Sequence, residues 1–219
     1  GLWDDTAIIF MSDHGFYHGE HGLIGKSLIT PSAQGLTPLY DEVAHIPLII
    51  RVPGITPRKC EALAQPPDLM PTILELAETK VPQTVQGSSL LPFLEGKNPV
   101  WRDFAVTSPS IIHGPVAGQR ISVITKEWFF IYCGQIDEAL RELLIERKIK
   151  IVDGFERLQK ILGEKPRNEL YYLPKDSTQQ KNVFDENKGV AGQIHEKLVK
   201  FLKALNTEEK VLRYWKKMV

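Results

Sequence analysis

Asp13, His14 and Gly15 follow one another directly behind an apolar run, and Lys26 returns thirteen residues after Asp13. An aspartate and a histidine side by side at a strand-to-loop junction can both turn onto one cation. A glycine behind them permits the sharp exit that such a turn needs. As an isolated tripeptide the same residues read more readily as a loop cap beside a hydrogen-bonded surface histidine. The stretch that follows, FYHGEHGLIGK from Phe16 to Lys26, changes that balance: three glycines and two further histidines lead to a lysine. A lysine brought back beside a divalent cation suits a tetrahedral anion, since both charges can neutralise its oxygens as charge develops in a transition state.

The elements that must position these residues can be read around them. Thr6–Met11 is apolar at consecutive positions, which predicts a strand covered on both faces with parallel neighbours. Asp13 and His14 then fall at its carboxyl end, where open α/β sheets bind ligands. The chain opens on Gly1-Leu2-Trp3 with no room upstream for those neighbours, so the native protein is expected to continue N-terminally. Leu39–His45 reads as a short helix stopped by Pro47 and feeding a second apolar strand, Leu48–Val52. The two strands are expected in one sheet, with a helix from Asp68 to Thr79 packed on its face. Asp68 is the expected N-cap of that helix, Pro71 falls in its first turn, and Leu69, Ile73, Leu76 and Ala77 line one side. Gln86–Gly96 reads as loop.

From Trp101 onward the strands shorten and look antiparallel. Phe104–Thr107, Arg120–Thr125 and Trp128–Tyr132 are candidates, with Lys126-Glu127 as a hairpin turn, and Leu170–Leu173 is a last short strand. Val190, Ile194, Leu198, Phe201, Leu202 and Leu205 form a helical stripe expected to cover this sheet, and residues 207–219 read as a further helix. The expected fold is α/β, with residues 1–98 in one domain. Residues 99–219 form a smaller antiparallel-sheet and helix subdomain, with a helical insertion near 134–168.

SDHGFYHGEHGLIGK followed by LYDEVAHIPLIIRVPG resembles the C-terminal half of the formylglycine sulfatase and phosphonate monoester hydrolase family, within the alkaline phosphatase superfamily. That family shows SDHG or SDNG, a GEHG-like turn, a lysine, and then Y-D/E-E-x-x-x-x-P-L. The likeness continues in DLMPTILELA, in QGSSLLPFLEG and in ELYYLPKDSTQQKNV, in the family's order along most of the chain.

The resemblance implies an alkaline phosphatase-like fold. Asp13 and His14 would be two of the metal ligands, and Lys26 would contact the oxygens of a sulfate or phosphonate ester. Many relatives have Asn at the second position, so His14 points to the phosphonate-hydrolase-like or iduronate-sulfatase-like branch. It implies a divalent metal in the complete protein, Ca²⁺ first, with Mg²⁺ or Mn²⁺ as alternatives. The partners it implies are a sulfate-ester or phosphonate-ester small molecule or glycan, and the N-terminal half that carries the remaining ligands. His21 lines the same turn and is read, with Tyr40, Asp41 and Glu42, as structural.

The family's nucleophile lies in C-x-P-S-R, whose Cys or Ser is oxidised to formylglycine. Cys60 and Cys133 have other contexts and no serine begins such a motif, so the chain is expected to be inactive alone. Both cysteines read as buried free thiols. A phosphate- or phosphonate-ester hydrolase on the same scaffold, or a non-catalytic module that inherited the fold, are the alternatives to a sulfatase. The nucleophile's context, or a start codon near Gly1, would discriminate them. Lys and Arg number 27, as do Asp and Glu, which argues against a generic nucleic-acid or anionic-membrane surface. No apolar run is long enough to span a bilayer.

Overall fold

The computed structural model describes residues 1–26, 28–30, 33–36, 39–108, 120–133, 167–212 and 215–218. In chain order its strands and helices are β1 (Ile8–Met11), β2 (Tyr17–His18), β3 (Ile24–Gly25), β4 (Leu28–Thr30), β5 (Ala33–Leu36), α1 (Asp41–Ala44), β6 (Leu48–Arg51), α2 (Leu69–Leu76), α3 (Leu91–Leu94), β7 (Phe104–Thr107), β8 (Arg120–Thr125), β9 (Trp128–Cys133), β10 (Glu169–Tyr172), α4 (Lys188–Ala204) and α5 (Glu209–Leu212). The helical insertion expected near 134–168 falls almost wholly outside the described residues.

Two compact units emerge, and they cut across the expected boundary at residue 98. One comprises Gly1–Ser12 with Pro47–Ala105, the other Asp13–Ile46 with Val106–Val219. The segment bearing Asp13, His14 and Lys26 therefore groups with the C-terminal residues. The physical reason is packing: Tyr40 and Ala44 lie against a cluster of Phe129, Ile131 and Tyr171.

In the first unit β1 and β6 form one two-stranded sheet, as expected, but they run antiparallel. The parallel neighbours and second cover expected of Thr6–Met11 were assigned to polypeptide upstream of Gly1, which this pairing does not test. Phe10 stands opposite Ile49 in the register, and the two remain 59% and 63% exposed. Consecutive apolar residues were read as burial on two faces, yet among the described residues one face of this ribbon is open. α2 belongs to the same unit, with Met70 and Ile73 exposed.

Asp68 does not cap α2 through its side chain. The carboxylate, fully buried, takes the backbone N–H groups of Gln65 (2.8 Å) and Ser88 (2.9 Å) and the forked guanidinium of Arg102, whose Nη2 lies 2.6 Å from Oδ1. Thr72 Oγ1 donates to the Asp68 carbonyl oxygen and accepts the Leu90 N–H, tying α2 to the segment leading into α3. That segment, expected as loop, contains the helical turn Leu91–Leu94.

In the second unit β10, β9, β8 and β7 form a four-stranded antiparallel sheet in that order. Alternate side chains serve its two faces. Phe129, Ile131 and Tyr171 meet Tyr40 and Ala44 at α1, while Tyr132 meets His195 of α4 (ring centroids 4.9 Å apart) and Trp215. Ala191, Ile194 and Leu198 are buried along α4, so the apolar stripe seen in the sequence does cover the sheet. The helix expected over 207–219 is shorter, at Glu209–Leu212.

Both cysteines are free, as expected, but only Cys133 is buried; Cys60 is exposed. Burial is the largest cause pushing the Cys133 thiol up to about 11. A disulfide-exchange reagent at pH 8 should therefore titrate one thiol in the native chain and both after unfolding. Two fast thiols in the native chain would contradict the buried placement of Cys133.

Removing the Asp68 carboxylate leaves the Arg102 charge and two N–H groups unanswered. Asp68→Ala should cost about 3 kcal/mol, the lower end of the range for breaking a buried ion pair, read from the urea midpoint of the chain. A loss below about 1 kcal/mol would show that water replaces the carboxylate.

Candidate active site

Gly15 is the first point at which the loop after β1 is held. Its N–H donates to the Val43 carbonyl (3.0 Å), and Phe16 N–H donates to the Glu42 carbonyl (3.1 Å). The approach is so close that a Cβ on Gly15 would lie 1.7 Å from the Glu42 carbonyl oxygen. Glycine is required here by contact with backbone rather than by dihedral angle. α1 thus grips the chain immediately behind the Asp13-His14 pair.

The other arm is a small hairpin. β2 pairs with β3, Tyr17 opposite Gly25 and His18 opposite Ile24, around a tight turn at Glu20–Gly22. Tyr17 and Leu23 are buried with Val43 and packed by Tyr40, and the Tyr40 N–H donates to the Tyr17 hydroxyl at 3.0 Å. Lys26 leaves the end of β3, so the hairpin determines where its side chain can go.

The structure brings the three predicted site residues together. Lys26 Nζ lies 2.6 Å from His14 Nε2, and that nitrogen lies 3.4 Å from Asp13 Oδ2. His14 Nδ1 sits 2.8 Å from the Gly15 carbonyl oxygen, a contact that only an N–H can make favourably. The proton is thereby assigned to Nδ1 and the lone pair to Nε2, facing the Lys26 ammonium. Desolvation raises the Asp13 pKa, but the backbone N–H groups of Asp13 and His14 and the Lys26 charge hold the carboxyl below its usual range.

An imidazole with Nδ1 fixed on a carbonyl and its Nε2 lone pair turned to a cation is the arrangement of a metal-ligating histidine. The side chains present fit a divalent cation as part of its shell: one exposed carboxylate and one oriented nitrogen. They do not complete it. Among the described residues no group of three or more His, Cys, Asp and Glu side chains could hold a metal ion.

His21 and Tyr40 were read as structural in the sequence, but the partners that make them so were not. The His21 ring stacks on Tyr40, centroids 3.8 Å apart and 10° from parallel. The Tyr40 hydroxyl donates to Glu169 Oε2 at 2.8 Å, Tyr171 donates to the same oxygen, and Arg120 Nη1 lies 2.9 Å from Oε1. Burial first, then the Glu169 charge, pushes the Tyr40 hydroxyl up to about 12. Glu169 lies 129 residues from Tyr40, and no local pattern announces that partnership.

Residues 19–108 match the family described as N-sulphoglucosamine sulphohydrolase, C-terminal. Over 106 residues the chain is 42% identical to the multifunctional alkaline phosphatase superfamily protein PehA of Trinickia caryophylli, covering 47% of this chain and 19% of that protein. Over 113 residues it is 39% identical to an N-acetylglucosamine-6-O-sulfatase of Bacteroides thetaiotaomicron, covering 48% of this chain and 18% of that one. The phosphonate monoester hydrolase of Agrobacterium radiobacter superposes with a TM-score of 0.65 at 25% identity, over 94% of this chain and 36% of that one. The chain spans less than a fifth of the two curated relatives. It is similar to the C-terminal part of sulfatases and phosphonate monoester hydrolases, and its fold is alkaline phosphatase-like.

Gly15→Ala forces the Glu42 backbone to move. It should destabilise the chain by about 1–3 kcal/mol, as overpacking does. Ring ¹⁵N spectra should show a single His14 tautomer in the unsubstituted chain and lose it in Gly15→Ala. An unchanged tautomer and urea midpoint would show that α1 does not hold the loop.

Proposed function

We propose that this chain supplies one side of the metal-and-anion site of a sulfuric ester hydrolase. The reading rests above all on the Nε2 lone pair of His14, fixed by Gly15, flanked by the Asp13 carboxylate and faced by the Lys26 ammonium. The likeness to named sulfatases supports the reaction class. Asp13 and His14 would hold the divalent cation. Bound there, such an ion supplies positive charge against the ester's non-bridging oxygens.

The remaining steps for this chain's residues follow from charge. The Nε2 lone pair can face one cation at a time, so Lys26 would leave His14 wherever Asp13 and His14 held a divalent cation. An ammonium freed beside that ion would turn to the oxygens of a tetrahedral anion and hold them as charge develops. The His14–Gly15 contact fixes the tautomer, so no proton need move before the nitrogen is used. The nucleophile would come from polypeptide outside these residues, as would most of the ligands. Ca²⁺ wants six to eight oxygens, of which Asp13 offers at most two.

Phosphonate monoesters are the second reading, favoured by the superposition on a phosphonate monoester hydrolase and by His14 at the second position of the motif. A sulfated sugar is the substrate class suggested by the relative named for N-acetylglucosamine-6-O-sulfate chemistry.

Two measurements test the reading. The 219-residue chain alone should turn over neither an aryl sulfate nor an aryl phosphonate, and calorimetry should show only weak Ca²⁺ binding. The full-length protein should hydrolyse one of the two esters, with Asp13→Ala or Lys26→Ala lowering kcat/KM at least about a hundredfold, the effect of removing one transition-state contact. Metal-dependent turnover by the short chain would place the nucleophile within it and overturn the assignment.

A further inference from the structure

We propose that His21 is the positioning residue that sets both arms of this site, acting on Lys26 through the hairpin and on Asp13-His14 through Glu42; the proposal rests on the reading of Lys26 as the anion-binding cation.

The first observation is backbone strain. His21 has φ 53° and ψ 21°, the left-handed region that a residue with a Cβ rarely adopts. It lies between Gly19 at φ 132° and Gly22 at φ 67°, so the turn already has two glycines able to carry left-handed backbone. A histidine held there must be retained by its side chain, which is only 9% exposed.

The side chain has two contacts, one on each face of the problem. Its ring lies parallel on Tyr40, whose hydroxyl is anchored to buried Glu169. Its Nε2 faces Glu42 Oε2 at 3.3 Å; the geometry falls short of a hydrogen bond, and neither atom has another hydrogen-bond partner among the described residues. Two buried polar atoms left this way are costly, so the pair is held together rather than separated.

Glu42 then joins the two arms. Its main-chain carbonyl accepts the Phe16 N–H, and Val43 beside it accepts the Gly15 N–H directly after His14. Its side chain faces the tip of the hairpin whose far end presents Lys26. A shift of His21 therefore changes where Lys26 arrives relative to His14, while the groups that perform the chemistry stay intact. A misplacement of about 1 Å can cost a hundredfold in rate.

The variant that isolates this role is His21→Asn. Asparagine tolerates left-handed backbone but has no ring to lay on Tyr40 and cannot reach Glu42 in the same way. His21→Phe keeps the stack alone and should fall between the two. In the full-length protein acting on its better ester, His21→Asn should lower kcat about tenfold or more and leave KM within about threefold. The same change made on a Lys26→Ala background should cost clearly less than in the parent, because the part of its effect that acts through Lys26 is already lost and only the part through Asp13-His14 remains. Equal fold-losses in both backgrounds would reduce His21 to a structural turn residue and overturn the proposal, as would an unchanged kcat.

Should the full-length protein hydrolyse neither ester, the reading of the site fails, and the His21 claim is still decided in the 219-residue chain. There the His14 ring ¹⁵N shifts and the Lys26 side-chain shifts should move in His21→Asn, with the Tyr132 and Trp215 environment unchanged. Unmoved His14 and Lys26 signals would overturn the positioning role independently of any activity.

Discussion

Glu169 is a carboxylate taken almost wholly out of water, and the second unit is built around satisfying it. An ionised group in that position costs several kcal/mol unless its lone pairs are met by donors of good geometry. Arg120, itself buried, meets one oxygen; Tyr40 and Tyr171 converge on the other. Tyr171 comes from the strand that carries Glu169, so it adds nothing to long-range order. Tyr40 does. It is the residue before α1, its N–H holds the Tyr17 hydroxyl, and its ring carries His21. One buried carboxylate on an edge strand therefore fixes the short helix, and that helix fixes the loop and hairpin on which the candidate ligands stand.

The first unit repeats the logic with a different carboxylate. Asp68 is fully buried and is met by Arg102 and by two backbone N–H groups from separate segments. Forked arginine–carboxylate pairing adds geometric specificity as well as energy. The Trp101 indole N–H donates to the Leu63 carbonyl, and Arg102 reaches the same oxygen. A short α2 of eight residues would be marginal by propensity alone. What holds it is a polar junction at its start.

These junctions explain what could be read from the sequence and what could not. Asp13, His14 and Lys26 were legible because an unusual set of residue types recurs within one short loop. β8, β9 and α4 were legible because their apolar periods are long and unbroken. The direction of β6 against β1 was not, since consecutive apolar residues report burial and say nothing of strand polarity. Asp68 looked like a helix cap because its position before Leu69 is the usual place for one, yet its carboxylate reaches back to Gln65 and out to Ser88 and Arg102, 20 and 34 residues away. His21 looked like an ordinary turn residue because its meaning lies in a left-handed backbone and a ring contact. The glycines flanking it were the only local signal of that conformation.

The distribution of burial separates scaffold from site. Asp13 is 84% exposed and His14 about one-third exposed, whereas Tyr17, Leu23 and Val43 beneath their loop are buried. Exposed charges in water gain little from one another, typically under about 1 kcal/mol, and salt weakens even that. The Lys26–His14–Asp13 contact therefore contributes little to folding and is not what holds the loop in place. Order is imposed from beneath, by Gly15 on α1, by Tyr17 and Leu23 in the small core, and by Tyr40 on Glu169. A set of charges arranged at its neighbours' expense is weak while solvated and becomes strong once a ligand and its surroundings exclude water, because the same separations then act through a lower dielectric. On that argument the stability of this part of the fold resides in residues that never touch a ligand, and the residues that would touch one are left free to respond to it.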